Sequence, residues 1–84
     1  MPSKSARHRD LPEDLAVRLG QEVRRHRQAR GLTQEAVANT SDVTVQMVRR
    51  LEAGRANPTL GTLHAIAASL DTSMSRLLQP LDEG

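Results

Sequence analysis

Gly31-Leu-Thr-Gln-Glu-Ala-Val-Ala-Asn-Thr-Ser-Asp-Val-Thr-Val-Gln-Met-Val-Arg-Arg-Leu-Glu-Ala-Gly54 fits two short amphipathic helices and a tight corner into one spacing. The first turn of a helix leaves backbone N–H groups without helical partners, and a threonine hydroxyl just before it can accept from one of them. Thr33 stands in that position before Val37 and Ala38, and Thr44 stands in it before Val48 and Leu51. Ser41-Asp42-Val43 separates the two periodic runs, and Gly54 supplies the left-handed residue that stops the second. A helix, a tight corner and a second helix at this spacing is the arrangement that seats the second helix in the major groove of duplex DNA.

Placing residues at helical intervals of about 100° resolves the second helix into two faces. Val48 and Leu51 point inward, with Thr44 and Glu52 beside them. Gln46, Arg49, Arg50 and Ala53 gather on the opposite side, which is polar and basic. Val43 and Val48 are expected to pack on Val37 and Ala38, where the small Ala38 side chain lets the two helices cross closely.

Three further helices are expected around this pair. The first begins near Pro12, which suits a first helical position, followed by Glu13 and Asp14 where acids oppose the helix dipole. Leu15, Leu19 and Val23 form its apolar face, and Gly31 ends it. After the loop from Gly54 to Pro58, Thr59 can cap a fourth helix carrying Leu60, Leu63, Ile66, Ala67 and Leu70 at helical spacing. A last short helix follows Thr72 or Ser73 and runs through Leu77 and Leu78, an apolar pair that either closes the core or meets a second subunit. The expected fold is all-α, with five helices in one domain over residues 11–79. Residues 1–10 are expected to form a basic mobile arm, and residues 80–84 a flexible tail.

Composition narrows the function. The 84 residues include no cysteine and no aromatic residue. Disulfides, cysteine metal sites and base-stacking platforms for RNA or single strands are therefore excluded, and duplex DNA is favoured. The net charge is only +2, but its distribution is uneven. Residues 1–31 contain eight Lys or Arg against four Asp or Glu, whereas residues 32–84 contain four against six. No stretch reads as a membrane span or cleaved signal, which makes the cytoplasm the default compartment. His8, His26 and His64 share no metal-ligand spacing, and no Gly-rich phosphate loop, His-Glu-x-x-His pair or nucleophile–base constellation is present. No enzyme activity, cofactor or metal is expected.

The residues resemble the Cro/repressor type of helix-turn-helix, also called XRE-like, a family of phage and bacterial transcription regulators with a compact lambda-repressor-like domain. The likeness runs through Leu19-Gly20, Val23-Arg24, Arg27, Arg30-Gly31-Leu32-Thr33-Gln34-Glu35 and Leu51-Glu52-Ala53-Gly54-Arg55-Ala56-Asn57-Pro58-Thr59-Leu60, covering roughly Leu19 to Leu78. It implies that Thr44, Val45, Gln46, Arg49 and Arg50 approach base edges. It also implies that Thr33, Gln34, Arg55 and Asn57 meet phosphates, and that Arg27 and Glu52 form a partly buried ion pair that orients the fold. The plainer alternatives are that Gln34 only begins a helix, that Arg55 is an idle loop charge, and that much of Arg24-Arg25-His26-Arg27 is a solvated face.

Three positions depart from the family pattern. Asp42 replaces a frequent turn glycine, at small cost because Asp tolerates left-handed backbone better than most residues. Val45 and Met47 stand where polar residues are common, which shifts readout toward thymine methyl groups. His26 occupies a usual leucine position, as a partly buried structural histidine or as a pH-sensitive one.

The resemblance implies a repressor binding a palindromic operator as a homodimer, because one recognition helix contacts too few base pairs for high specificity. Leu70, Leu77 and Leu78 are the expected dimer contacts. The alternative readings are an antitoxin whose partner is a toxin protein, favoured by the apolar Val45 and Met47, and a restriction–modification controller.

Overall fold

The structure, a computed structural model, describes residues 10–82. The expected N-terminal arm, apart from Asp10, and the last two residues lie outside this range. Five helices follow one another: α1 (Glu13–Ala29), α2 (Gln34–Ser41), α3 (Val45–Glu52), α4 (Leu60–Ser69) and α5 (Met74–Asp82). The fold is all-α and compact, as expected.

Local chemistry sets most of the boundaries. Thr33, Thr44 and Thr59 have extended backbone, and each side-chain oxygen accepts from the N–H three residues on, at Ala36, Met47 and Thr62, all at 3.0 Å. Ser73 Oγ plays the same part for Arg76 N at 3.2 Å, which settles the start of α5. Pro12 lies just before α1 rather than inside it, and its carbonyl accepts from Leu15 and Ala16 at 3.0 Å.

The helix exits share one device. After α1, Gly31 turns left-handed at φ 69° and Leu32 N closes back on the Arg27 carbonyl at 3.1 Å. After α3, Gly54 (φ 75°) lets Arg55 N reach the Arg50 carbonyl at 2.9 Å. Two aspartates do the same work elsewhere: Asp42 (φ 58°) lets Val43 bond to Ala38, and Asp71 (φ 57°) lets Thr72 bond to Ala67. Each closure satisfies carbonyls that the last helical turn leaves open.

Packing then decides how the helices sit. α1 lies against α3 and α5, α2 against α3 and α4, and α4 against α5. The core joins Leu19 and Val23 of α1 to Val37 and Ala38, Val48 and Leu51, Leu63 and Ile66, and Leu70 and Leu77. The α1–α3 crossing depends on Gly20, where a Cβ would lie 2.3 Å from the Leu51 carbonyl oxygen and 2.9 Å from that of Glu52. Only a residue without a side chain lets the two backbones approach this closely.

The structure corrects three expectations. Leu60 is 72% exposed, because it is the first residue of α4 and its side chain points away from the stripe formed by Leu63, Ile66 and Ala67. Residues 80–82 are helical rather than a tail. Pro80 lies inside α5, and Leu81 packs against the core, where apolar burial offsets the one helical hydrogen bond that proline cannot make. Leu70 and Leu77, expected at a dimer contact, are 1% and 0% exposed within the single chain. They close the monomer core and have no surface left for a partner, while Leu78 remains half-buried at its edge.

Candidate nucleic-acid interface

The interface is built on α3, whose two faces have different environments. On the inner side Val48 and Leu51 are fully buried. At its C-terminal end, Glu52 accepts from Arg27 through both carboxylate oxygens: Arg27 Nε donates to Oε2 at 2.6 Å and Nη2 to Oε1 at 3.0 Å. Arg27 Nη1 donates to the Leu32 carbonyl at 2.8 Å, and Gln34 Nε2 donates to Glu52 Oε1 at 3.0 Å. The Arg27 and Glu52 side chains are only 12% and 5% exposed, so this is a largely desolvated fork that joins α1, α2 and α3. The hydrogen bond to Glu52 raises the Arg27 pKa. Burial opposes that rise, and attraction to Glu52 and, further off, Glu35 reinforces it.

Gln34, expected at a phosphate, is thus also a member of the buried network. Its amide retains a second N–H and its oxygen, so the side chain can be oriented by Glu52 and still present a donor outward. Nothing in the local sequence signals this contact, which exists because α2 and α3 pack against each other.

The outer side of α3 is different. Thr44, Gln46, Arg49 and Arg50 are exposed, whereas Val45 and Met47 are half-buried and pack against the rim of the core. Their apolar character therefore serves the fold in part. A shallow groove bordered by Thr44, Gln46, Met47, Arg50 and Asn57 runs beside the helix. The Thr44 hydroxyl oxygen is taken by the cap, as is that of Thr33, but each O–H proton can still be donated.

The two exposed arginines are held from different directions. Arg50 Nη2 donates to the Arg55 carbonyl at 3.2 Å, which ties it to the loop after α3. Arg49 Nη2 lies 3.1 Å from Glu35 Oε2 of α2, with the side chains 57% and 65% exposed. Asn57 Nδ2 donates to Asp10 Oδ1 at 3.3 Å, so the chain leading into α1 lies beside the same loop. Arg55 and Asn57 are both exposed there. The surface so assembled presents the donors of Gln46, Arg50, Arg55 and Asn57 around one protruding helix, as recognition of an anionic duplex requires.

His26 lies away from this surface. Its side chain is 21% exposed, with Nε2 3.8 Å from Glu22 Oε1. No helix among the described residues is long and apolar enough to cross a membrane.

Residues 23–77 match the helix-turn-helix family. The chain is 40% identical over 70 residues to y4dJ, an uncharacterized HTH-type transcriptional regulator of Sinorhizobium fredii, a match covering 83% of this chain and 91% of that one. It is 41% identical over 61 residues to an uncharacterized HTH-type transcriptional regulator of Methanothermobacter thermautotrophicus, covering 73% and 88%. Among solved structures, the restriction-modification controller protein C.AhdI from Aeromonas hydrophila superposes with a TM-score of 0.72 at 36% identity, covering 76% of this chain and 96% of that one. The clp gene regulator ClgR from Corynebacterium glutamicum superposes with a TM-score of 0.79 at 27% identity, covering 86% and 78%.

Proposed function

The chain belongs to the helix-turn-helix family and is a DNA-binding transcription regulator, and from that premise we propose that it is a repressor binding an approximately palindromic operator as a homodimer. The observation that carries the reading is the division of α3: its C-terminal end is locked by Arg27, Gln34 and Glu52, and its outer face carries exposed Gln46, Arg49 and Arg50. A helix fixed in angle and presenting polar forks outward reads base edges in a major groove. In this reading Thr44, Val45, Gln46, Arg49 and Arg50 approach bases. Thr33, Gln34, Arg55 and Asn57 hold phosphates, which fixes register without carrying sequence information.

An eight-residue helix spans only a few base pairs, and a two-fold pair reading half-sites about 34 Å apart doubles that number. Because Leu70 and Leu77 are closed inside one chain, pairing falls to the surface around half-buried Leu78. Occupied operators then block polymerase access in the cytoplasm. The DNA-binding unit in this reading runs from Leu11 through α5. The likeness to C.AhdI at 36% identity over nearly all of that controller favours, as a second reading, control of a restriction–modification operon by the same binding mode.

Selection of bound duplexes from a random pool, followed by sedimentation of the complex, tests the proposal. The expected result is an inverted repeat with half-sites about one helical turn apart and two chains per duplex. Enrichment of an asymmetric site carrying one chain would overturn the dimer, and a pool that never converges would overturn sequence-specific reading.

A further inference from the structure

Arg49 and Arg50 are neighbours on the exposed side of α3, yet among the described residues only Arg49 lies within ion-pair distance of a carboxylate. Glu35 Oε2 of α2 lies 3.1 Å from Arg49 Nη2, while Arg50 is held by a neutral carbonyl. An exposed ion pair of this kind adds little to folding stability. A carboxylate on a surface that meets phosphates also weakens binding to every duplex. The pair is therefore unexplained by stability or by raw affinity.

Its geometry suggests a different use. Glu35 engages one nitrogen of a guanidinium that carries five N–H donors, leaving the rest of the planar fork available. The facing carboxylate offsets part of the positive potential at Arg49 and so weakens it as a phosphate ligand, because phosphate attraction depends on net charge and counterion release. It leaves intact the planar donor pattern that matches the O6 and N7 acceptors of guanine. It also restricts a long side chain before binding, which lowers the ordering cost on contact.

We propose that Glu35 is a specificity-determining positioning residue: it holds the Arg49 fork away from phosphates and toward a base edge, so that Arg49 discriminates among sequences rather than adding affinity for all of them. This rests on the reading of the outer face of α3 as the DNA-binding surface. Among the described residues no carboxylate lies within ion-pair distance of the Arg50 guanidinium, which serves both duties.

The test compares the parent, Glu35→Gln, Arg49→Gln and the double variant on the selected duplex and on a random-sequence duplex of equal length, across a salt titration. Glu35→Gln is expected to bind the random duplex about ten-fold tighter per dimer at low salt and to steepen the log-affinity against log-salt slope by about one unit per subunit. Its preference for the selected duplex is expected to fall, with the melting temperature unchanged. In the Arg49→Gln background the same Glu35 change is expected to do much less, since Arg49 is the residue through which it acts. Parent-like slope and preference in Glu35→Gln would overturn the proposal, as would an equal gain with and without Arg49, which would mark a general charge effect. A parent that binds no duplex, or all duplexes equally, would overturn the reading of this face as a sequence reader, and the role of Glu35 with it.

Discussion

At the end of α3, Glu52 is 5% exposed and bonded to Arg27 through both oxygens, with Gln34 adding a third donor. One turn earlier Arg49 is 57% exposed and meets Glu35 in a single 3.1 Å contact. Both are arginine–glutamate pairs that join different helices, and they differ in solvent. A desolvated pair is costly to break, because whichever charge remains is stranded away from water. An exposed pair can be exchanged for water or a ligand at almost no cost. The first kind fixes the angle at which α3 leaves the domain, and the second biases the direction of one side chain on its outer face without locking the fold.

The most severe way to break this contrast is Glu52→Ala. It strands Arg27 and frees Gln34, and a loss of about 4 kcal/mol is expected, a large share of the total stability of a small domain. Denaturant titration reads it directly, and a variant matching the parent would mean that the inner pair is as solvated as the outer one. Next comes Gly20→Ala, whose Cβ would press on the Leu51 and Glu52 carbonyls. Separating α1 from α3 is expected to cost about 3 kcal/mol and to loosen the Arg27–Glu52 fork with it. Protection of the α3 amides from hydrogen exchange should fall in parallel.

On the outer face the expected effects move from stability to binding. Arg50→Ala should leave the melting transition in place and cost about 2 kcal/mol on the selected duplex, with preference relaxed at one base pair. Competition binding with single-base variants measures it, and a uniform loss across all duplexes would reassign Arg50 to phosphate. The smallest effect is expected for Arg55→Ala, at less than about 1 kcal/mol near physiological salt. Its signature is a log-affinity against log-salt slope flattened by about one unit per subunit, with sequence preference retained.

The features legible along the chain are those made by residues close in sequence. Thr33, Thr44 and Thr59 cap across three residues, so a hydroxyl before an apolar run is enough to place each helix start. Asp42 turns left-handed in the residue that follows α2. The two faces of α3 follow from helical period alone, with Val48 and Leu51 inside and Gln46, Arg49 and Arg50 outside. The period of α5 is equally readable through Leu78, yet the helix runs on past Pro80 to Asp82. The proline sits past the residues that anchor the helix, and Leu81 still reaches the core.

The all-α class, the helix order, the capped corner between Ser41 and Thr44 and the polar outer face of α3 can be read along the chain, because each depends on torsion, capping or period within a few residues. Contacts between helices set the rest: that Leu70 and Leu77 face inward and Leu60 outward, that Gln34 shares Glu52 with Arg27, and that Glu35 meets Arg49. Those outcomes depend on how the helices pack across the fold, which no local pattern specifies. Burial and pairing belong to surfaces brought together across the fold, and an apolar residue at the right helical position carries no mark of which surface will cover it.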